Sequence, residues 1–321
     1  MEQVVYAQLA QGDLKRAVPV AGRLWDLGAR SQAANIAMIG GLALKKDYAA
    51  ILSRDPEQHQ IHPLVDGLLD GWAHLGAGQV DKALVAFDQT AEEAALRPFA
   101  LYHKALALAS VGNYGGAEAL FAADDAQISR LSRRSALARV QILSQLGEFE
   151  AALASLNDSF GEGTDPALMA IRARLAAGEA LGFATAPTAQ AGIAEVFFSL
   201  AAVLNGETAD DFVLMFARAA QALNPDHVDA MLLSAELLDQ LGRYNLSIDT
   251  YKQVPSTHPD YYAAEMGRAE ALLAPAMDKL STAGLQAESL VRYGHVAETI
   301  CALAEEVGAS QIIVGRVGSS A

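Results

Sequence analysis

Few side chains in this sequence stand at spacings that metal or nucleophile chemistry requires. His59 and His62, in EQHQIHP, have the spacing of two metal ligands, but no motif places a third ligand beside them. Cys301 is the one cysteine, which excludes an internal disulfide and a cysteine-based zinc site, and we expect it to be a small buried hydrophobe. The sequence has no G-x-S-x-G, H-E-x-x-H or P-loop motif. We therefore predict no catalytic residue and no metal site.

A candidate phosphate site lies at the end of the sequence. Gly315, Gly318 and Ser319 follow the apolar run Ile312-Ile313-Val314. Backbone N–H groups at a glycine turn of this kind can surround an anion. These residues are the candidates for contact with a nucleotide phosphate.

Two strands and a helix would have to position that glycine turn. QAESLVRYG and SQIIVGRVG are predicted to be strands, and HVAETICALAEEVGA between them is predicted to be an amphipathic helix. After the preceding helix LAPAMDKLSTAGL, this order predicts one parallel βαβ crossover. Two strands alone leave unpaired edges, so we expect this segment to pack on the last helices, form a homodimer with a second copy, or be partly disordered.

The overall composition sets limits on partners and location. The formal net charge of −15 disfavours nucleic acid, which requires a basic surface. Apolar residues make up 52% of the chain, enough for a continuous core, yet no stretch is long and apolar enough for a membrane span. The first residues, MEQVVYAQLAQGDLKRA, lack the features of an export signal. We expect a cytoplasmic protein, or a periplasmic one if a signal precedes this sequence.

Turn residues recur along the chain at nearly constant spacing. The steps from position 12 to 46 to 78 to 112 to 147 are 34, 32, 34 and 35 residues, and another turn stands at Gly242. Two residues after each turn comes a bulky side chain, and five after it usually a small one. Nine after it the residue is usually large. A period near 34 predicts stacked helix pairs, because one pair cannot bury its own apolar face.

This pattern resembles the tetratricopeptide repeat family over about residues 1–272. The best copy is VDAMLLSAELLDQLGRYNLSIDTYKQVPSTHP, residues 228–259, while residues 157–193 are less regular and lose the turn pattern. The run is similar to bacterial tetratricopeptide proteins that usually begin with an export signal. The resemblance implies an α-solenoid in which the first helix of each pair lines a concave face.

The resemblance also implies a groove for a partner on that concave face. Its amino-terminal half is apolar and its carboxy-terminal half acidic, which predicts a protein or peptide partner with a basic segment. In the alternative interpretation, Trp72 and Tyr102 belong to the core and the acidic residues form a solvated face. The candidate groove residues are Leu68, Trp72, Tyr102, Arg134, Gln141, Glu195, Asp229, Glu236 and Asp239.

Residues 273–321 resemble the second half of a universal stress protein domain. The similarity rests on Gly294, Ala297 and Ile300, and on the run from Ile312 to Ser319. In that family the Gly-x-x-Gly turn begins a motif that holds nucleotide phosphates, which would make ATP the cofactor. The later residues of the motif and the first strands of the domain are not in this sequence, so such a site would need a partner or a second chain.

Two functional hypotheses follow from these patterns. The first is a non-enzymatic interaction scaffold: a mainly α protein with a tetratricopeptide-like solenoid over 1–272 and a short βαβ fragment over 273–321. The second is a nucleotide-responsive stress regulator that uses the terminal glycines. A hydrolase or transferase has no motif to support it.

Overall fold

The computed structural model describes residues 1–123, 128, 131–161, 163, 165–258, 260–292 and 295–312. Within these ranges every regular element is an α-helix. In the first part of the chain the helices are α1 (Glu2–Ala10), α2 (Leu14–Asp26), α3 (Gln32–Leu44), α4 (Tyr48–Leu52), α5 (Pro63–Gly76), α6 (Val80–Thr90), α7 (Arg97–Ser110) and α8 (Tyr114–Ala123). The later helices are α9 (Arg133–Gln145), α10 (Phe149–Phe160), α11 (Pro166–Ala176), α12 (Ala189–Leu204), α13 (Asp210–Leu223), α14 (Val228–Gln240), α15 (Tyr244–Tyr251), α16 (Tyr261–Thr282) and α17 (Val296–Glu306).

The predicted turns are confirmed, and each joins two helices that pack side by side. A left-handed residue ends the first helix of each pair, a conformation that glycine adopts without steric cost. Lys46 takes this position in the second pair and is the one non-glycine residue with positive φ in the described ranges. The φ values at the turns are Gly12 77°, Lys46 57°, Gly78 76°, Gly112 82°, Gly147 76° and Gly242 68°.

Several second helices start immediately after the turn because the next residue is an N-cap. The Asp13 carboxylate accepts from the N–H of Arg16 at 3.1 Å, and Asp47 does the same for Ala50 at 3.1 Å. A glycine followed by Asp or Asn thus ends one helix and begins another within two residues. Adjacent helix pairs of this kind are compatible with an α-solenoid.

The repeat positions predicted from spacing are core positions. The small residues five after the turns have no exposed surface, so the second helix lies close against the first. These are Ala17, Ala83, Ala117, Ala152 and Ser247. The larger residues nine after the turns, Phe87, Phe121, Leu156 and Tyr251, are buried as well.

The helix pair α12–α13 packs on helices far from it in sequence. α12 contacts α3, α5 and α7, and α13 contacts α1 and α3, so one hydrophobic core spans both halves of residues 1–268. Arg218 on α13 reinforces this contact: it donates to the Ala10 carbonyl at 3.3 Å and to Thr250 Oγ1 at 3.0 Å. Burial lowers the pKa of Arg218 to about 10.

Residues 269–321 form a second unit, and the boundary between the units falls within α16. The βαβ prediction for this region is wrong, because the described residues contain no strand, including residues 286–292 and 310–312, where strands were expected. Leu290 and Ile312, which lie in the two predicted strands, are 43% and 51% exposed. Two strands without neighbours cover neither their edges nor their faces.

The helical parts of this second unit are present as α17 and the end of α16. Cys301 on α17 is exposed, so the expectation of a buried thiol is wrong as well. No helix in the described part of the chain is both long enough and apolar enough to cross a membrane.

Candidate functional site

The apolar half of the predicted groove is covered by a helix of the same chain. Leu68 and Trp72 on α5 and Tyr102 on α7 are 1%, 0% and 3% exposed. α12 packs on both helices, and a Cβ atom at Gly192 would overlap the indole ring of Trp72. These three predicted site residues therefore lie in the core rather than at a free surface.

A buried histidine lies between Trp72 and a serine on α12, but the arrangement does not activate the serine. The Trp72 indole N–H donates to His103 Nδ1 at 3.0 Å, so the ring proton of the neutral imidazole sits on Nε2. Nε2 lies 3.4 Å from Ser199 Oγ. Burial lowers the pKa of His103 to about 4, against the opposing effect of Glu195. A general base must accept the hydroxyl proton, and here the facing nitrogen already carries one.

Beside Ser199, a crevice of about 110 Å³ opens between Phe99, Phe198 and Val203. The crevice is therefore smaller than the pockets of about 300 Å³ or more that usually hold small-molecule ligands.

Three of the predicted site residues form a buried polar cluster at the start of α9. Arg134 Nε donates to Glu195 Oε2 on α12 at 2.7 Å, and Nη1 donates to Asp229 Oδ2 on α14 at 3.0 Å. The position of Arg134 is fixed by a capping box in which Ser132 and Ser135 bond to each other's backbone N–H groups. One guanidinium thus connects three helices.

Two further side chains complete the cluster around Glu195. The Tyr102 hydroxyl donates to Glu195 Oε1 at 2.9 Å. His227 Nε2 lies 3.2 Å from Glu195 Oε2, in contact distance but without hydrogen-bond alignment. Its other nitrogen, Nδ1, accepts from the Ala230 N–H at 3.2 Å and caps α14. The residues around His227 in the sequence give no sign that it contacts Glu195.

Neighbouring charges keep Glu195 and Arg134 ionised although both are buried. Burial alone would raise the pKa of Glu195, but Arg134 and His227 outweigh it and hold that pKa well below its usual range. Burial also opposes the charge of Arg134, yet Glu195 and Asp229 hold the pKa of its guanidinium above the usual value. Burial and the Glu195 charge raise the pKa of Tyr102, so its hydroxyl remains a donor. The cluster acts as a connection between helices.

Further along α9, the same helix face binds a non-helical segment of the chain, residues 179–188, here called the inner segment. Ser144 Oγ accepts from the Leu181 N–H at 3.0 Å, and Gln145 Nε2 donates to the Leu181 carbonyl at 2.6 Å. Both main-chain groups of Leu181 are thus satisfied by side chains of α9.

Two predicted groove residues make the next contacts along the inner segment. Gln141 Oε1 accepts from the Ala184 N–H at 2.9 Å, and Arg134 Nη2 donates to the Thr185 carbonyl at 2.9 Å. α9 therefore recognises the backbone of an extended peptide, and that peptide belongs to the same chain. The sequence shows residues 157–193 as less regular than the other repeats but gives no sign of this contact with α9.

The remaining groove candidates lie on α14. Glu236, seven residues after Asp229 and on the same helix face, is exposed, while Asp239 is half-buried. Asp229 itself is committed to Arg134. The accessible acidic residue of the predicted set on this helix is therefore Glu236.

The other candidate sites are placed as follows. Gly315, Gly318 and Ser319 lie outside the described residues. His59 stacks on Trp25, with ring centroids 3.7 Å apart, and burial lowers the pKa of His59. Within the described residues no group of three or more His, Cys, Asp or Glu side chains is arranged to hold a metal ion.

A comparison of the sequence with protein-family models gives no match. No curated protein is significantly similar to it either.

Proposed function

We propose that this chain is a tetratricopeptide-like α-solenoid that acts as a non-enzymatic scaffold for protein interaction. The observation that carries the proposal is the binding of an extended main chain by side chains of α9. Gln141 and Gln145, both on the inward face of that helix, bond to backbone groups of the inner segment. Helices that present amide side chains in this way are suited to peptide recognition.

The charged and nucleophilic groups of the buried cluster support a binding role over a catalytic one. Arg134 and Glu195 are paired with each other, and Tyr102 donates to Glu195. Ser199 faces a nitrogen that carries a proton. The Arg134, Glu195 and Tyr102 side chains are satisfied by one another, which leaves none of these three free to hold or transfer a substrate proton.

The proposed partner carries a basic segment that meets the exposed carboxylate of Glu236. The net charge of −15 favours association with a basic protein, since opposite charges speed the encounter. Glu236 is the accessible acidic residue on the inward face of α14, and its contact with the partner would be sensitive to salt.

The test uses a photo-crosslinking amino acid at position 236 and, as a control, at position 150, in extracts of the source organism. Glu150 is also an exposed glutamate but lies on the second helix of its pair. The crosslinked protein is then purified and its affinity measured by calorimetry for the wild type, Glu236→Lys and Glu150→Lys.

We expect saturable binding that Glu236→Lys weakens by about tenfold and Glu150→Lys leaves unchanged. A partner whose affinity is equal for both variants would place the interface elsewhere on the molecule. If no saturable protein partner is found, the scaffold proposal fails.

A further inference from the structure

The inner segment stands where the repeat would place a second helix. Gly178 ends α11 with φ 72°, as Gly147 ends α9 with φ 76°. After Gly147 a helix begins two residues later, at Phe149. After Gly178 the chain instead stays non-helical through residues 179–188 and then enters α12 behind the N-cap Thr188.

The contacts with the inner segment come from a single face of α9. Positions 134, 141 and 145 are separated by seven and four residues, so their side chains project in the same direction. They bind backbone groups of the inner segment at 2.9, 2.9 and 2.6 Å. Recognition of the main chain in this way does not depend on the sequence of the peptide.

Buried side chains of the inner segment add contacts that depend on residue type. Leu181 is 6% exposed and packs into a hydrophobic cluster with residues of α9, α10 and α11. Thr185 and Ala186 are 4% and 0% exposed, whereas Gly182 and Ala184 are exposed. The buried residues of the segment are thus one aliphatic residue and, four and five positions later, two small ones.

We propose that this face of α9 is a binding site for an extended peptide of a partner protein, and that the inner segment is its internal ligand. The incoming peptide has an aliphatic residue at the Leu181 position, a small hydroxyl residue at the Thr185 position and a small residue at the Ala186 position. The inference rests on the proposed scaffold function and names the kind of segment that its partner presents.

The covalent connection gives the inner segment an advantage over any free peptide. A tethered segment competes at an effective concentration in the millimolar range, so a free peptide of equal intrinsic affinity binds the wild type weakly. Weakening the anchor at Leu181 frees the site and raises the apparent affinity of the peptide.

The experiment uses a fluorescent peptide of residues 179–188, EALGFATAPT, titrated into the full chain and followed by anisotropy. The proteins are the wild type, Leu181→Ser, and Leu181→Ser combined with Gln145→Ala. A peptide with serine in place of its leucine is the control ligand.

We expect Leu181→Ser to bind the peptide about tenfold more tightly than the wild type, and the added Gln145→Ala to remove that gain. The control peptide is expected not to bind. A folded Leu181→Ser protein, checked by circular dichroism, that shows no gain in affinity would overturn the proposal.

A second measurement covers the case in which Leu181→Ser fails to fold. In the wild type, millimolar peptide should speed hydrogen exchange at the Leu181 and Ala184 amides, because both donate to α9 side chains. Unchanged exchange at saturating peptide would overturn the inference. If the crosslinked partner still binds through Glu236, the scaffold function stands without this peptide site.

Discussion

Arg134 and Glu195 lie 61 residues apart in the sequence, and their side chains meet at 2.7 Å inside the molecule. The Arg134 side chain is 14% exposed and the Glu195 side chain 1%. The pair connects α9 to α12, the helix that covers the apolar inward face of α5 and α7. Its removal should therefore affect the whole of residues 1–268 rather than one repeat.

Glu195→Gln should destabilise the protein strongly. The substitution keeps the shape of the side chain but leaves Arg134 charged in the interior with only Asp229 as a counter-ion. Loss of one partner of a buried ion pair costs about 3 kcal/mol or more. Urea unfolding of the wild type and the variant at neutral pH measures this loss in the free energy of unfolding.

The matched control for that measurement is Asp249→Asn. Asp249 pairs with Lys252 at 3.1 Å, but its side chain is 69% exposed, so water replaces the interaction. A loss of stability as large in Asp249→Asn as in Glu195→Gln would contradict the role assigned to the buried pair.

His103 should make stability depend on pH between about 6.5 and 4. An unfolded histidine takes up a proton near pH 6.5, while burial lowers the pKa of folded His103 to about 4. Between these values the unfolded state binds more protons, so the free energy of unfolding decreases as the pH falls, by up to about 3 kcal/mol. Glu195 adds to this loss below about pH 5, because the unfolded carboxyl takes up its proton near its usual pKa while the pKa of folded Glu195 is held below it.

His103→Gln isolates this contribution, because a glutamine carbonyl can still accept from the Trp72 indole N–H. We expect the variant to lose less stability than the wild type between neutral pH and about pH 4.5 in parallel urea titrations. Equal losses in the two proteins would show that His103 does not titrate as its burial implies.

The helix pairs could be predicted from the sequence because the signals are local. Glycine at 78 and 112 ends a helix with a left-handed residue, and Asp47 begins one, whatever the rest of the chain does. Even the Lys46 turn is marked by the Tyr48 that follows in phase. The inward positions came from the resemblance to the repeat family, and among them Trp72 is buried and Arg134 pairs with Glu195.

What covers that inner side could not be predicted, because it depends on contacts between residues far apart in sequence. Trp72 packs against Gly192, and Gln141 accepts a hydrogen bond from the Ala184 N–H. The sequence around these residues does not indicate either contact. The terminal strands were overpredicted for a related reason. An apolar run such as Ile312-Ile313-Val314 signals burial, but a strand also needs a neighbour to pair with.

Lys46→Gly should stabilise the protein. Lys46 holds φ 57°, a conformation that costs a residue with a Cβ atom about 1 kcal/mol relative to glycine. Part of that gain is lost to the greater entropy of glycine in the unfolded chain, which leaves about 0.5 kcal/mol. Differential scanning calorimetry should show a higher midpoint temperature of unfolding for Lys46→Gly than for the wild type.

The reverse substitution at an equivalent turn is the control. Gly78 has φ 76° and open space around its Cβ position, so Gly78→Ala tests the backbone alone. We expect a loss of about 0.5 kcal/mol there, from the same two contributions with opposite sign. If Lys46→Gly lowered the midpoint, its left-handed conformation would not be the dominant cost at this turn.

The contact between Gly192 and Trp72 decides whether α12 lies against α5 as described. A methyl group at position 192 overlaps the indole ring, so Gly192→Ala should cost about 1–3 kcal/mol by overpacking. Gly115→Ala on α8, where the Cβ position is open, should be neutral or stabilising.

A double-mutant cycle makes this test specific to the pair. Trp72→Phe removes Cε3, one of the three ring atoms nearest the new methyl group, so the cost of Gly192→Ala should shrink by about 1 kcal/mol in the Trp72→Phe background. Urea unfolding of the four proteins gives the coupling energy. Additive effects would mean that the two residues do not touch, and α12 would then not be the helix that covers the inward face of α5.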